Sequence, residues 1–162
     1  MGEKSAPIPA RTVLRDPVHF LAFGFGSGLG PKAPGTWGSL AAIVPYLWFQ
    51  TFPMPAYLAM LVISMVFGIW LCGDSARRLG VHDHSGIVWD EFVGMWITLF
   101  LAPPGWLWIV VGFALFRLFD VLKPWPIRWL DRHISGGLGI MLDDVLAGVI
   151  AWLGVQALAQ LV

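Results

Sequence analysis

The sequence predicts an all-α fold: a polytopic integral membrane helix bundle of four to five transmembrane helices, preceded by a Gly-rich N-terminal arm. Three observations predict it. The 162 residues are 57% hydrophobic and only 12% charged, with ten Trp and eleven Phe, whereas soluble domains run at about 45–50% apolar and about 25% charged. Charge is absent over 33–73, 92–116 and 145–162, and a bilayer crossing needs roughly 20 apolar residues. Prolines break the first two of these runs where hairpins between crossings would fall.

In chain order, residues 1–37 form the arm. They carry Glu3, Lys4, Arg11, Arg15 and Asp16 with several prolines, and no apolar core follows a basic start as in a signal peptide. Helices are expected near 38–52 and 56–73, divided by Pro53-Met54-Pro55, which cannot continue a helix without cost. A second pair near 88–102 and 106–121 is divided by Ala102-Pro103-Pro104-Gly105, and a last helix runs over about 144–161. The segments at 38–52 and 88–102 are short for a crossing, so they extend into polar flanks or one is re-entrant. The whole chain, 1–162, reads as a single membrane domain: arm 1–37, and bundle 38–162 with loops 74–91 and 117–144.

Every Lys and Arg lies in the arm or in those two loops, and the proline hairpins and the C-terminal end carry none. Positive charge is retained on the cytoplasmic side, so arm and loops are expected there, on a multi-pass membrane protein. A formal net charge of zero and the lack of basic runs argue against nucleic acid as a partner. No obligate protein partner is implied. Cys72 is the only cysteine, so an intrachain disulfide is impossible.

Acidic residues gather where polar loop meets apolar helix: Asp83, Asp90 and Glu91 in 82–91, Asp120 in 117–126, and Asp143 and Asp144 in 136–144. Carboxylates beside apolar helices need partners, and adjacent acids such as Asp90-Glu91 and Asp143-Asp144 repel unless a cation lies between them. Oxygen donors in this number suit Mg²⁺. The competing account is capping, since helix N-termini favour acids. Arg117, Asp120 and Lys123 share a helical face, either to grip phosphate around a catalytic acid or as an ion pair along a helix end. In Gly24–Ser39 the glycines let N–H groups approach an anion, with Lys32, Thr36 and Ser39 as expected substrate-binding side chains; a flexible linker is the alternative. This stretch lacks the Gly-Lys-Ser/Thr ending of a Walker motif. His84 is a candidate phosphate donor. Cys72 to Arg78 matches the Cys-x₅-Arg spacing of cysteine phosphatases, but Asp74 beside it argues against a reactive thiolate. No Ser-His-Asp arrangement is legible.

The stretches GFGSGLGPKAPGTWGSLAA at 24–42, HDHSGIVWDEFVGMWITL at 82–99, FRLFDVLKPWPIRWLD at 116–131 and GGLGIMLDDVLAG at 136–148 closely resemble the phosphatidylglycerophosphatase A family of bacterial membranes. The resemblance implies Mg²⁺-dependent hydrolysis of phosphatidylglycerol phosphate, a phospholipid substrate, to phosphatidylglycerol and inorganic phosphate. It places the family's acids on Asp83, Asp90, Glu91, Asp120, Asp143 and Asp144, with Arg117 and Lys123 beside them. The expected division is Asp90, Glu91, Asp143 and Asp144 as metal ligands, with Asp83, Asp120, Arg117 and Lys123 as catalytic residues. Two other classes compete: an ion- or proton-coupled transporter, since intramembrane acids mark ion paths, and a non-catalytic protein that binds anionic lipid through its basic loops.

Overall fold

The computed structural model describes residues 6–162; the expected cytoplasmic Glu3 and Lys4 lie outside the described residues. Among the described residues the fold is entirely helical: α1 (Ala10–Arg15), α2 (Pro17–Ala22), a 3₁₀ turn (Ser27–Leu29), α3 (Pro34–Phe49), α4 (Met54–Leu79), α5 (Trp89–Thr98), α6 (Trp106–Leu122), α7 (Ile127–His133) and α8 (Gly136–Ala159).

Helices form where the sequence expects them, but their acid-bearing ends are displaced. α3 starts at Pro34, because proline suits the first helical position. α4 runs past the first charges to Leu79 and stops at Gly80, whose φ of 70° supplies the left-handed cap; Arg77 and Arg78 in its last turn suit the helix dipole. Asp74 is therefore helical and does not begin a loop. α6 continues through Arg117 and Asp120. The largest displacement is in α8, which begins at Gly136 rather than near 144. Its glycines are contacts, not breakers: a Cβ on Gly137 would strike the Ile69 carbonyl and Gly73 of α4, so small residues permit this close helix approach.

The paired contacts fix a strict alternation of direction. α3 and α5 run parallel, with Gly38 against Val88 and the Trp96 indole donating to the Ala42 carbonyl. α4 opposes α5, since Tyr57 reaches the Trp96 carbonyl and Trp89 the Ser64 carbonyl. α6 also opposes α5, with Phe116 on Gly94 and Gly112 against Leu99. α8 returns parallel to α5, with Gly148 on Gly94 and Trp152 on Phe100. Consequently α3, α5 and α8 begin, and α4 and α6 end, at one pole. That pole holds the acids; the other has the charge-free turns after α3 and α5.

α4 and α8, 26 and 24 residues long, are long and apolar enough to cross a membrane. Against the expected four to five crossings, α3 and α6 have 16 and 17 residues, and α5 has ten, a length of only about 15 Å. α5 is the core of the bundle: Trp89, Phe92, Val93, Met95 and Trp96 are all buried. The surrounding helices turn apolar side chains outward, among them Val62, Ile63 and Val66 on α4, Val44 on α3, Val110 on α6 and Leu153 on α8.

The end of α5 explains how so short a helix is tolerated in an apolar bundle. Terminal carbonyls lack intrahelical partners, and here side chains of three other helices supply them. Tyr57 donates to Trp96 O at 2.6 Å, Tyr46 to Leu99 O at 3.4 Å, Trp152 to Phe100 O at 2.8 Å, and Gln156 to Phe100 O and Leu101 O at 3.2 Å. Non-helical backbone within a membrane-like interior requires this kind of satisfaction.

Candidate active site

Two glycine-mediated crossings build the site. Gly94 of α5 and Gly148 of α8 meet backbone to backbone, with no room for a Cβ on either. One turn toward the acid pole, residue i−4 on each helix is an acid: Asp90 and Asp144. Because residues four apart share a helix face, a glycine crossing places those carboxylates against each other. Glu91 joins them, and one oxygen from each of Asp90, Glu91 and Asp144 lies within 4.8 Å of the others. Phe116 of α6 covers Gly94, and one turn further along α6 brings Asp120 beside the group.

Burial is nearly complete, with Asp90 8% and Asp144 3% exposed. Asp90 Oδ1, Glu91 Oε2, Asp143 Oδ1 and Asp144 Oδ2 have no hydrogen-bond partner among the described residues. Unpaired carboxylate oxygens in such surroundings are strongly unfavourable, and clustered hard oxygen donors are the set that a cation such as Mg²⁺ takes. The residues therefore fit that ion. Arg117 is the adjacent cation, paired with Asp120 and 3.9 Å from Glu91 Oε1. The Gly-rich arm also reaches the site: a Cβ on Gly35, in the first turn of α3, would meet Glu91 Oε1 and the Arg117 guanidinium.

The expected site residues divide into those that converge and those that do not. Asp90, Glu91, Asp144, Asp120 and Arg117 converge. Capping does not account for Asp144, which lies eight residues and about 12 Å inside α8; Asp90 lies in the first turn of α5, where the helix dipole favours an acid, but no side-chain capping bond closes that end. Asp143 stands outside the tight group, on the next face of α8, where its Oδ2 receives Lys123 Nζ at 3.3 Å. Lys123 also bonds Asp131 at 3.3 Å. Burial disfavours its charge, but Asp143 and Asp131 hold the ammonium well above its ordinary pKa. Asp83 is exposed on the loop before α5, within Coulombic range of Lys123 and Asp131.

Of the substrate-binding expectations, those on His84 and Ser39 need correction. Both nitrogens of His84 are engaged in the fold: Nδ1 accepts from the Gly86 amide at 2.9 Å and Nε2 meets the Ala6 carbonyl at 3.0 Å, leaving no donor for phosphate. Ser39 is fully buried and returns its hydroxyl to the Gly35 carbonyl at 2.8 Å. Lys32 is exposed and forms no ion pair among the described residues. Thr36 is half-buried next to Gly35.

Two further groupings were not legible in sequence. Asp131 shares Lys123 with Asp143. Ser75 Oγ lies 2.8 Å from His19 Nδ1, with Asp16 3.9 Å from His19 Nε2, so a Ser-His-Asp alignment exists after all. Ser75 is fully buried, so it ties α2 to α4 and presents no nucleophile. Cys72 is likewise buried, with acids as its charged neighbours, the reverse of a cysteine phosphatase loop. The signal that accompanies the carboxylate cluster is Asp-x-x-x-Gly, repeated at 90–94 and 144–148.

Buried acids with free oxygens, one Arg and a Gly-rich helix start define the class: an all-helical protein with a carboxylate centre suited to a divalent cation and an anionic ligand. A family model described as Phosphatidylglycerophosphatase A matches residues 20–159. Phosphatidylglycerophosphatase A of Escherichia coli strain K12 is 52% identical over 144 residues, covering 88% of this chain and 83% of its own length. The Haemophilus influenzae protein of the same name is 48% identical over 147 residues, 90% of each. A putative phosphatidylinositol-3-phosphatase of Bacteroides thetaiotaomicron is 43% identical over 140 residues, 80% of this chain and 86% of its own. The chain belongs to the phosphatidylglycerophosphatase A family. No solved structure matches it.

Proposed function

We propose that this chain is a phosphatidylglycerophosphatase that hydrolyses phosphatidylglycerol phosphate with Mg²⁺ held by Asp90, Glu91 and Asp144, at the cytoplasmic face of the bacterial inner membrane. Family membership supports the activity. The observation that carries the metal is the set of orphaned buried oxygens on those three acids. The distribution of Lys and Arg toward the acid pole supports the orientation, and the outward apolar side chains support a multi-pass bundle in which α5 is the buried, half-length member.

When bound, the cation would neutralise charge gathering on the phosphoryl oxygens and make a coordinated water more acidic. The rest falls to the chain. Arg117, oriented by Asp120, is placed to hold two phosphate oxygens through its planar fork. The uncapped first turn of α3 brings the Gly35 backbone N–H to the same phosphate, the missing Cβ allowing the approach, while the Thr36 N–H is held by the Ala33 carbonyl. Lys123, kept charged by Asp131 and Asp143, attracts the headgroup from the solvent side, where Asp83 also stands. These groups fix the phosphate in line with the attacking oxygen.

Purified protein in detergent, given phosphatidylglycerol phosphate, should release inorganic phosphate with added Mg²⁺ and stop when EDTA removes it. Undiminished release after exhaustive chelation would refute the metal assignment; binding without release would return the chain to the lipid-binding class.

A further inference from the structure

The Gly-rich arm holds a strained lysine just before α3. Lys32 has φ of 67°, a backbone conformation that residues with long side chains rarely adopt. Across it the Ala33 amide donates to the Pro31 carbonyl at 2.8 Å, which closes a three-residue turn of the rare, strained kind. The Trp37 indole donates to the same carbonyl at 3.1 Å, and its ring lies against Gly30, where a Cβ would strike it. Trp37 thus fastens the turn to α3. Lys32 itself is exposed and has no ion-pair partner among the described residues. Strained residues persist where their surroundings enforce them, and they gather at ligand sites.

We propose that Lys32 binds the phosphodiester of the substrate headgroup, so that the chain selects lipids that carry a second phosphate. The inference rests on the phosphatase reading above and adds which part of the headgroup is read outside the carboxylate centre. Phosphatidylglycerol phosphate has a terminal monoester, which is cleaved, and an inner diester, which stays with the lipid; one glycerol unit separates them. The monoester belongs beside Gly35, where a Cβ would meet Glu91 Oε1 and the Arg117 guanidinium. Lys32 precedes Gly35 by three peptide units, at most about 11 Å between α-carbons. The Thr36 and Trp37 amides both return to the Ala33 carbonyl, so the chain curls over this stretch and shortens that span. A four-carbon lysine stem is long enough for much of the remainder. The diester also has a defined side. Acyl chains lie in the lipid around the bundle, and α3 turns Trp37, Leu40 and Val44 outward toward it. Tryptophans gather at headgroup level, and the turn that carries Lys32 rests on Trp37. A headgroup reaching from the lipid beside α3 to Gly35 therefore passes the ammonium with its diester. The division of labour suits the two cations: a point charge for the singly charged diester, and the planar fork of Arg117 for the monoester.

The test compares wild type, Lys32→Gln and Lys32→Arg, each as the full chain in detergent with Mg²⁺. The substrates are phosphatidylglycerol phosphate and an analogue whose inner phosphate is methylated to an uncharged triester. Lys32→Gln should lose about fivefold in kcat/KM on the natural lipid, the scale of an exposed ion pair, and less than about twofold on the triester. Lys32→Arg, which keeps the charge, should stay within about twofold of wild type on both. Inhibition by inorganic phosphate, which occupies the monoester position alone, should be equal in wild type and Lys32→Gln. Equal loss on the two lipids, or no loss on the natural one, overturns the inference. Weakened phosphate inhibition in Lys32→Gln overturns it too, because the lysine then serves the monoester. Where the triester is too poor a substrate to measure, the phosphate inhibition decides. A wild-type protein that fails to hydrolyse the natural lipid would overturn the phosphatase reading itself, a result distinct from failure of the lysine.

Discussion

The two ends of α5 treat buried polar groups in opposite ways. At the charge-free pole its last carbonyls receive donors from Tyr57, Tyr46, Trp152 and Gln156. At the acid pole, barely ten residues away, Asp90 and Glu91 join Asp144 with oxygens that no group among the described residues satisfies. The same interior surrounds both. A fold able to recruit four side chains to cap one helix end has the means to pair its acids at the other. That it leaves them open marks the acid pole as built for a ligand and the far pole as built for stability.

The sharpest way to break this contrast is to neutralise the open acids. Asp90→Asn or Asp144→Asn should lower phosphate release by about 10³-fold, the scale of losing a main electrostatic contributor to the transition state. Thermal stability of the metal-free protein should hold or rise, because one of several mutually repelling buried charges has gone. Activity assays and melting in detergent with EDTA check both parts. A variant that melts lower while keeping activity would make these acids structural.

Next in size is the effect of metal on the intact protein. Mg²⁺ added to the EDTA-stripped and dialysed chain should raise Tm, because a ligand that binds only the folded state at a hundredfold over its Kd stabilises by about 2.7 kcal/mol. The rise should vanish in Asp144→Asn. An equal rise in wild type and variant would place the ion elsewhere.

At the other end of α5 the prediction reverses. Tyr57→Phe removes the donor to Trp96 O and should destabilise by about 1–2 kcal/mol, the cost of an unsatisfied buried acceptor. kcat at a temperature well below the melt should change by less than about twofold. Melting and turnover measured on one preparation separate the two poles; a large fall in kcat with normal melting would show that the far end shapes the chemistry.

The contrast also shows how much could be read from residues alone. Composition and charge-free runs were sufficient for an all-helical bundle with one charged pole, since hydropathy acts on whole segments. The family motifs contain the acids that the fold gathers, Asp90, Glu91 and Asp144. Neither could tell Asp143 from Asp144, because the choice depends on helix phase, which follows from where α8 begins. That start was hidden: Gly136-Gly137-Leu138-Gly139 reads as a loop, yet Gly137 serves the close approach to Ile69 and Gly73. His84 misled for a related reason. A loop histidine in a motif looks free until the arm folds back and its nitrogens meet Ala6 and Gly86.

The smallest predicted effect falls on that pair of neighbours. Asp143 and Asp144 are adjacent in sequence, but about 100° of helix rotation sends one to Lys123 and the other to Asp90 and Glu91. Asp143→Asn keeps an oxygen for Lys123, and Asp131 still holds the ammonium from its other side. A partly exposed ion pair contributes at most about 1 kcal/mol, so the loss of activity should be about fivefold, far short of that for Asp144→Asn. Parallel kcat/KM measurements on the two variants decide the point. If Asp143→Asn proves as damaging as Asp144→Asn, the orphaned Asp143 Oδ1 turns into the centre during turnover, and the ligand set has four carboxylates rather than three.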